Sequence, residues 1–403
     1  MEEKTIIIYS WSTLWSMKDK SGAPSFYRTV KLYIDKGWNV FLILVNRSPG
    51  LENLIPKENC FVLKEKKSDT WISAKLWTKV FLIYKILRYN FYATKVSKRI
   101  LNTHKKNAVL YAYEIYGVSC AAKLAKKNNI PLVTRFQGTI ATYFKMNWYT
   151  KIKQHVHLKA LKTPADLVIM TDDGTKGLET LKRLGNPSKN IKFWKNGLDL
   201  FDSEYTHNFR CIKEELGISP DVKMLLTVSR LEGWKRVDRA ISALKEIVEQ
   251  DKKVKLVIVG DGSDRERLER IVEENNLSSF VCFAGAIAHE DVYNYMYSAD
   301  VFLSLYDMSN VGNPLLEALT LGKCIVTLNV GDTNTVIRNN ENGILLELSE
   351  LNKLPEVILQ LLENHDLKCR LEKNARNYAH KYFYSWDHRM NMEYNEVEKL
   401  VLE

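Results

Sequence analysis

The segment between positions 309 and 319 contains residue types that could bind an anion. Gly312 and Pro314 separate an apolar run, Val301–Tyr306, from a helical pattern that starts at Leu315. Proline suits the first turn of a helix because its missing N–H costs nothing there, and glycine lets a ligand approach the backbone. Because a helix N-terminus carries partial positive charge, it attracts anions. We therefore predict an anion site at the helix start, formed by Gly312, Asn313, Pro314 and Leu315.

Two cations and a carboxylate are placed where they could complete this site. Arg230 and Lys235 are five residues apart in the loop after another apolar run, Met224–Ser229. Loops beyond the carboxyl ends of parallel strands bind ligands in α/β proteins. Arginine holds phosphate oxygens with two hydrogen bonds, and lysine adds a point charge. Glu317 lies one helical turn beyond the anion site, where its carboxylate could accept hydrogen bonds from ligand hydroxyls.

The elements that must position these residues follow an α/β pattern. Apolar runs alternate with helical patterns along all 403 residues, as in parallel sheets with crossover helices, and the chain is long enough for two such domains. We predict two Rossmann-like sheets. The predicted strands are Thr5–Tyr9, Val40–Leu44, Cys60–Leu63, Val109–Tyr113, Leu132–Phe136 and Leu167–Thr171 in the first, and Met224–Ser229, Leu256–Val259, Val281–Phe283, Val301–Leu305, Ile325–Leu328 and Ile344–Leu346 in the second.

Motifs for other ligands are incomplete or missing. Val257–Ser263 contains Gly260 and Gly262, but the third glycine of a dinucleotide fingerprint would fall at Arg265. The sequence has no His-Glu-x-x-His, no Asp-x-Asp and no Walker-type phosphate loop. We therefore expect no metal and no resident cofactor.

Taken together, the motifs resemble those of the retaining glycosyltransferases of the GT-B fold, family 4. That family has two glutamates eight positions apart around a Gly-x-Pro turn; here the second is Glu317 and the first is replaced by Ser309. Its Gly-Arg-Leu…Lys-Gly motif resembles the segment from Ser229 to Arg236, in which these two residues replace the glycines. Its Asn-Gly-x-Asp and Phe-x-Ser-Trp motifs have counterparts at 196–199 and 383–386.

The resemblance implies a fold and a donor. It implies an α/β GT-B architecture of two Rossmann-like domains facing a central cleft: 1–195 on the acceptor side, 196–381 for the nucleotide sugar, and a helix over 382–403 that crosses back to the first domain. The co-substrate would be a nucleotide-diphospho-sugar, with a UDP-sugar favoured.

The resemblance also assigns roles to single residues. Arg230 and Lys235 would stabilise the donor diphosphate, and Glu317 would bind the ribose. The loop that ends at Ile287 would contact the base, and Ser309 would change the contacts with the transferred sugar. Gly22 corresponds to the family's glycine-rich loop near the diphosphate, and Gln137 takes the place of a histidine that touches the donor sugar; it can hydrogen-bond a hydroxyl but cannot take up a proton.

Charge is divided unevenly along the chain. Residues 1–200 contain 35 Lys and Arg against 14 Asp and Glu, a net charge of +21, whereas residues 201–403 carry −10. The stretch Trp71–Tyr113 has nine basic residues, interleaved aromatic residues and no acid. A basic helix with aromatic side chains suits an anionic membrane surface, although nucleic acid binding or a solvated helix face is also compatible with it.

We therefore expect a metal-independent, retaining glycosyltransferase that builds a surface polysaccharide or glycolipid on a saccharide or lipid-linked acceptor. Six scattered cysteines without a Cys-x-x-Cys pair indicate buried thiols and a cytoplasmic protein, held peripherally at the inner face of the membrane through Trp71–Tyr113. The alternatives are a nucleotide-sugar epimerase or hydrolase of the same fold, and a non-enzymatic nucleic-acid-binding protein that uses the basic half. We expect no nucleic acid partner.

Overall fold

A computed structural model describes residues 3–11, 24–45, 51–63, 77–200 and 209–402. The chain divides into two compact units. The first contains Met1–Asp172, Gly177–Lys195 and Asp387–Glu403, and the second contains Asp173–Lys176 and Asn196–Trp386. The short segment Asp173–Lys176 is thus part of the second unit although it follows a strand of the first.

The first unit is built on a seven-stranded parallel sheet. Its strands are β1 (Thr5–Ser10), β2 (Asn39–Leu44), β3 (Cys60–Val62), β4 (Ala108–Tyr113), β5 (Leu132–Phe136), β6 (Leu167–Thr171) and β7 (Ile191–Trp194), in the order β3-β2-β1-β4-β5-β6-β7. Its helices are α1 (Pro24–Asp35), α2 (Trp77–Thr103), α3 (Ile115–Asn128), α4 (Trp148–Lys153), α5 (His155–Lys162) and α6 (Gly177–Leu184). Because the strand order reverses between β1 and β4, the carboxyl ends of these two strands form the unit's topological switch point.

The second unit repeats this plan with a six-stranded parallel sheet. Its strands are β8 (Lys223–Val228), β9 (Val254–Val259), β10 (Val281–Gly285), β11 (Val301–Ser304), β12 (Ile325–Leu328) and β13 (Ile344–Leu346), in the order β10-β9-β8-β11-β12-β13. Its helices are α7 (Val237–Gln250), α8 (Arg265–Glu274), α9 (His289–Ser298), α10 (Asn313–Thr320), α11 (Leu354–Glu363) and α12 (His365–Tyr382). Here the switch point lies between β8 and β11.

Strand positions follow the apolar runs closely. Each predicted strand is present, with ends that differ by at most two residues. The prediction missed β7, a short strand at the sheet edge whose residues are only half-buried and include Lys192. An edge strand needs less apolar character because one side of it faces no partner strand.

The last helix is α13 (Trp386–Leu402). Its residues from Asp387 onward belong to the first unit. Glu393, which is fully buried, accepts hydrogen bonds from Tyr111 Oη at 2.7 Å, Arg135 Nη1 at 2.9 Å and Arg389 Nη1 at 3.2 Å. A buried carboxylate is stable only when it is paired in this way. This cluster ties α13 to β4 and β5.

Some predictions from composition are wrong in detail. Cys211 and Cys369 are exposed, not buried, whereas Cys120 and Cys324 lie in the cores.

Within the described ranges, no helix combines the length and apolar character needed to cross a bilayer. The same ranges contain no group of three or more His, Cys, Asp or Glu side chains arranged to hold a metal ion.

Candidate active site

The predicted phosphate-binding residues meet at the switch point of the second sheet. β8 and β11 are hydrogen-bonded neighbours, so the loops that follow their carboxyl ends lie side by side. The backbone N–H of Asp307 donates to the carbonyl of Trp234 at 3.0 Å, which joins the two loops directly. Arg239, buried on α7, fixes the loop after β11. It donates hydrogen bonds to the Leu305 carbonyl at 2.7 Å and to Asp307 Oδ1 at 2.6 Å.

Lys235 is held between two aromatic rings. Its ammonium nitrogen lies 3.9 Å from the ring centroid of Tyr306 and 4.2 Å from that of Trp234. Tyr306 is itself buried and fixed by a hydrogen bond from its hydroxyl to the Val228 carbonyl at 2.8 Å. Cation–π contact with two rings orients the lysine without neutralising its charge, which leaves it available for an anionic ligand.

The environment of Lys235 changes its ionisation. Burial lowers the pKa of Lys235 to about 7, repulsion from Arg230 acts in the same direction, and the Asp173 carboxylate opposes them. Arg230 is exposed, and no hydrogen bond or ion pair to another described residue holds its guanidinium. The two cations therefore lie close enough to repel each other, as expected of a site that awaits a polyanion.

Diphosphate binding should consequently depend on pH. A bound diphosphate stabilises the ammonium form, so binding above pH 7 takes up a proton at Lys235. We expect the affinity for UDP to fall as the pH rises above 7, by up to about tenfold per pH unit. Calorimetry in buffers of different ionisation enthalpy measures the proton uptake.

Lys235→Arg is the control, because a guanidinium stays charged throughout this range. It should bind UDP with a flatter pH profile and without the proton uptake. If the wild type takes up no proton at mildly alkaline pH, Lys235 does not contact the diphosphate. In the ligand-free protein the same shift makes the free energy of unfolding rise between pH 7 and 10.5, because the unfolded state binds this proton more tightly.

Backbone geometry explains the unusual residues of this loop. Arg236 has φ +49°, the left-handed conformation for which the family uses glycine, and it is held there by ion pairs with Asp238 and Asp307. Gly260 has φ +128°, and a Cβ on it would lie 1.8 Å from the Ser229 carbonyl oxygen. Gly260 and Gly262, which follow β9, thus permit close packing against the loop after β8. This packing requirement accounts for them without a dinucleotide.

The predicted helix N-terminus is present. Gly312 is the N-cap residue of α10, and Pro314 lies in the first turn. The amides of Leu315 and Leu316 bond to the Gly312 carbonyl, and the Asn313 side chain accepts a hydrogen bond from Asn196 Nδ2 at 3.1 Å. Leu315 is a core residue, 1% exposed. It can therefore contribute only its backbone to a ligand.

The backbone conformation at Gly312 does not itself require glycine. Its φ is −79°, and a Cβ would meet its nearest neighbour, the Ser309 carbonyl oxygen, at an ordinary 3.5 Å. The left-handed residue is Ser309, with φ +56°. Glycine at position 312 instead leaves the space beside the helix N-terminus open.

Ser309 has a partner that sequence reasoning missed. Its hydroxyl donates to Asp173 Oδ2 at 2.8 Å, and the Asp173 carbonyl accepts from the Val311 amide at 3.2 Å. The other carboxylate oxygen of Asp173 accepts from Thr175 Oγ1 at 2.5 Å. A carboxylate therefore lies next to Ser309, supplied by a segment more than a hundred residues away.

Glu317 is buried against a histidine. It is 3% exposed, and its Oε1 lies 2.8 Å from Nε2 of His289, the first residue of α9. His289 packs edge-on against Tyr293, whose hydroxyl donates to Asp199 Oδ2 at 3.1 Å. Ile287, predicted to contact the base, lies two residues before His289 and packs partly buried against the core. The imidazole holds one of the two carboxylate oxygens of Glu317.

In the first unit, Gln137 follows the carboxyl end of β5. Its backbone N–H donates to Glu114 Oε1 at 2.7 Å. Glu114 follows β4 with φ +66°, a strained conformation for a residue other than glycine. Strain of this kind concentrates at functional sites. Gly22, predicted to lie near the diphosphate, falls outside the described residues.

The sequence analysis did not single out Glu114, Asp173 or His289 as site residues. The three share one weak sequence feature. Each is a polar residue just after a strand or at a helix start, but nothing local in the sequence specifies its partner. The structure brings together Arg230, Lys235 and the loop that leads into α10. Gln137 belongs to the other unit.

Comparison with known structures identifies the fold. The chain is similar to Anabaena HepE, solved in complex with UDP and glucose, with a TM-score of 0.70 and 17% identity over 97% of this chain and 98% of that one. At this identity the likeness establishes the fold. The chain has the GT-B architecture of glycosyltransferases, with two Rossmann-like domains.

The chain also resembles known glycosyltransferases in sequence. Its residues 208–378 match the family described as glycosyl transferases group 1. It is 28% identical over 205 residues to N-acetyl-alpha-D-glucosaminyl L-malate synthase of Bacillus anthracis, covering 50% of this chain and 52% of that one. It is 23% identical over 266 residues to alpha-monoglucosyldiacylglycerol synthase of Acholeplasma laidlawii, covering 62% and 65%. The chain thus matches between half and two thirds of the length of these relatives.

Proposed function

We propose that the protein transfers a sugar from a nucleotide-diphospho-sugar to a saccharide acceptor with retention of configuration. One observation carries the proposal: Lys235, held on two aromatic rings beside the exposed Arg230, lies at the switch point of the nucleotide-binding type of sheet. The N-terminus of α10 and the recessed Glu317 add an anion site and a hydroxyl acceptor.

Leaving-group stabilisation is the main catalytic task of these residues. As the bond between the sugar C1 and the phosphate oxygen breaks, negative charge develops on the diphosphate. Arg230, Lys235 and the α10 N-terminus supply fixed positive charge at that point, which lowers the barrier. The resemblance implies that the acceptor hydroxyl attacks the face from which the diphosphate departs. Its proton then passes to the departing phosphate oxygen.

The donor we assign is a UDP-sugar. The related fold of HepE holds UDP, and the Glu317–His289 pair places a carboxylate oxygen for the ribose hydroxyls. In the first unit we assign Gln137, positioned by Glu114, to a hydroxyl of the sugar. Ser309 with its partner Asp173 would set the contacts with the transferred sugar. This chemistry needs no metal and no resident cofactor.

A thermal-shift screen against nucleotide sugars tests the donor. A ligand at a hundred times its dissociation constant stabilises the folded protein by about 2.7 kcal/mol, which displaces the melting temperature measurably. We expect UDP-sugars to stabilise the protein more than the corresponding GDP- or ADP-sugars. If no nucleotide sugar shifts the melting temperature, the donor assignment is wrong. If donor is consumed equally fast with and without saccharide, the protein is a hydrolase or epimerase instead.

The acceptor we propose is lipid-linked and is met at an anionic membrane surface by a cytoplasmic enzyme. The relative from Acholeplasma is a glycolipid synthase by name. On α2, one exposed stripe contains Leu87 and Phe91, 65% and 76% exposed, followed by Lys95 and Lys98. Apolar and basic side chains on one helix face favour anionic bilayers. Such an acceptor would serve the synthesis of a surface polysaccharide or glycolipid.

Not every aromatic residue of this stretch faces solvent. Tyr89 is fully buried and donates to the Ile43 carbonyl at 2.8 Å, and Tyr92 donates to the Val62 carbonyl at 3.2 Å. The part of Trp71–Tyr113 before residue 77 lies outside the described residues, and its end is the buried strand β4. The surface that we propose for membrane contact is therefore smaller than the whole stretch Trp71–Tyr113.

Reversing the charge of this face should release the protein from membranes. Each basic residue near an anionic leaflet contributes about 1 kcal/mol, and salt screens the effect. We expect Lys95→Glu/Lys98→Glu to reduce sedimentation with anionic vesicles at low salt, with activity on a short soluble acceptor retained. Neutral vesicles are the control. Equal binding of the wild type to neutral and anionic vesicles would contradict the proposal, and steep salt-dependent binding to nucleic acid would favour the alternative partner.

A further inference from the structure

The outer face of the first unit carries an apolar groove between three helices. α2, α3 and α5 line a cavity of about 390 Å³, within the range of about 300–1,000 Å³ typical of small-molecule sites. Leu87 and Phe91 form one wall although most of their surface is exposed. The remaining apolar lining comes from Ile86, Ile115, Val156 and Ala160. Apolar side chains exposed around a concave surface mark a binding site.

A basic depression continues from one end of this groove. The depression has a volume of about 1130 Å³ and shares Ser119, Lys123, Lys159 and Thr163 with the groove. Its lining contains four exposed lysines and one acid, Asp166, whose Oδ2 already accepts a hydrogen bond from the Leu132 amide at 2.7 Å. The lysines are Lys123, Lys126, Lys159 and Lys189.

The two adjoining surfaces are complementary to an amphiphilic ligand. The groove offers apolar walls to a hydrocarbon chain, and the lysines at its end offer positive charge to an anionic head group. We propose that the first unit binds an anionic phospholipid of the bilayer here, with one acyl chain in the groove and its phosphate on Lys123 and Lys159.

The location separates this lipid from the reacting acceptor. The depression is lined by residues that immediately precede the strands of the first sheet: Pro131 before β5, Asp166 before β6 and Asn190 before β7. It therefore lies at the amino edge of the sheet, whereas Glu114 and Gln137 follow the carboxyl ends of β4 and β5. Because ligands of α/β sheets react at the carboxyl edge, the amino-edge lipid is an anchor and not a substrate.

α4 supports an interfacial orientation. It ends two residues before His155, which lines the groove, and its Trp148 and Ile152 are 75% and 69% exposed. Lys151 and Lys153 on the same short helix are also exposed. Tryptophan and lysine side chains of this kind settle at the boundary between head groups and acyl chains. The lipid site is independent of the donor site in the second unit, so either can fail without the other.

A monomeric lipid tests the site without a bilayer. Dihexanoylphosphatidylglycerol, below its micellar concentration, is titrated into the full chain by calorimetry. Glycerol 3-phosphate reports the head group alone, and dihexanoylphosphatidylcholine reports the chains with a neutral head. We expect the anionic lipid to bind at least about tenfold more tightly than either, because it alone combines a charge for the lysines with chains for the groove. Equal affinity for all three would overturn the proposal.

Two variants assign the binding to this site. Ser119→Trp fills the groove where it meets the depression, and Lys123→Glu/Lys159→Glu reverses the shared charge; each should weaken binding of the anionic lipid by about tenfold or more. Lys245→Glu/Lys252→Glu, on exposed lysines of the second unit, changes the net charge equally and should bind like the wild type.

Folding is checked independently of the lipid. The melting temperature and the UDP affinity of each variant should match the wild type, because the nucleotide site belongs to the other unit. If Ser119→Trp does not fold, Phe91→Asp, at a largely exposed position, takes its place. Undiminished lipid binding by the folded groove and lysine variants would show that the lipid binds elsewhere.

Discussion

Arg230→Ala is expected to lower kcat/KM for the donor by about thirty- to a thousand-fold, the equivalent of about 2–4 kcal/mol of transition-state stabilisation. The guanidinium is exposed at the end of β8, and no hydrogen bond to another described residue diverts it. It is close enough to Lys235 to lower the pKa of that lysine by repulsion. Because the charge on the diphosphate grows as the glycosyl bond breaks, the loss should fall on kcat more than on the donor KM.

Matched variants separate this role from a structural one. Arg230→Lys keeps the charge but loses the planar pair of donors, and should recover only part of the activity. Lys245→Ala, on the exposed face of α7 in the same unit, should leave turnover unchanged. Rates near the wild type for both Arg230→Ala and Lys235→Ala would remove these residues from the catalytic site.

Glu317→Ala is expected to weaken UDP binding by about 1.5–3 kcal/mol, roughly ten- to a hundred-and-fifty-fold, because it removes a charged acceptor for the ribose hydroxyls. The residue is 3% exposed, so its carboxylate is held in place by the surrounding structure. Calorimetry with UDP and with uridine measures the effect, which should be present for both since both contain the ribose.

The contact with His289 requires its own control. Alanine at position 317 also leaves His289 Nε2 without its 2.8 Å partner, so the free energy of unfolding must be measured for the same variant. Glu317→Gln retains one acceptor oxygen, for either His289 or the ribose, and should bind UDP with an intermediate affinity. His289→Ala tests orientation: we expect weaker UDP binding with an unchanged Glu317. If Glu317→Ala alters stability but not UDP affinity, the residue is structural.

Asp173 illustrates what an incomplete motif can conceal. The family pattern has a glutamate at the position of Ser309, and its absence leaves the contacts with the sugar unassigned. In the structure Ser309 is bonded to Asp173, whose carboxylate also influences Lys235. The two residues are 136 positions apart, and Asp173 belongs to a four-residue segment of the second unit that interrupts the first. Periodicity and spacing carry no information about such a contact.

The sequence by itself determined every strand except β7, their grouping into two α/β domains, and the positions of the cations, the helix N-terminus and Glu317. These features depend on local properties: apolar runs form buried parallel strands, and proline or glycine sets the start of a helix. Tertiary structure decided which side chains meet. The ring contacts of Lys235 and the partners Glu114 for Gln137, Asp173 for Ser309 and His289 for Glu317 all join distant segments. Within one sheet, parallel strands bring the loops at their carboxyl ends together whatever their separation along the chain. Asp173 is the exception, because it follows a strand of the first sheet and is grouped with the second unit only by the fold.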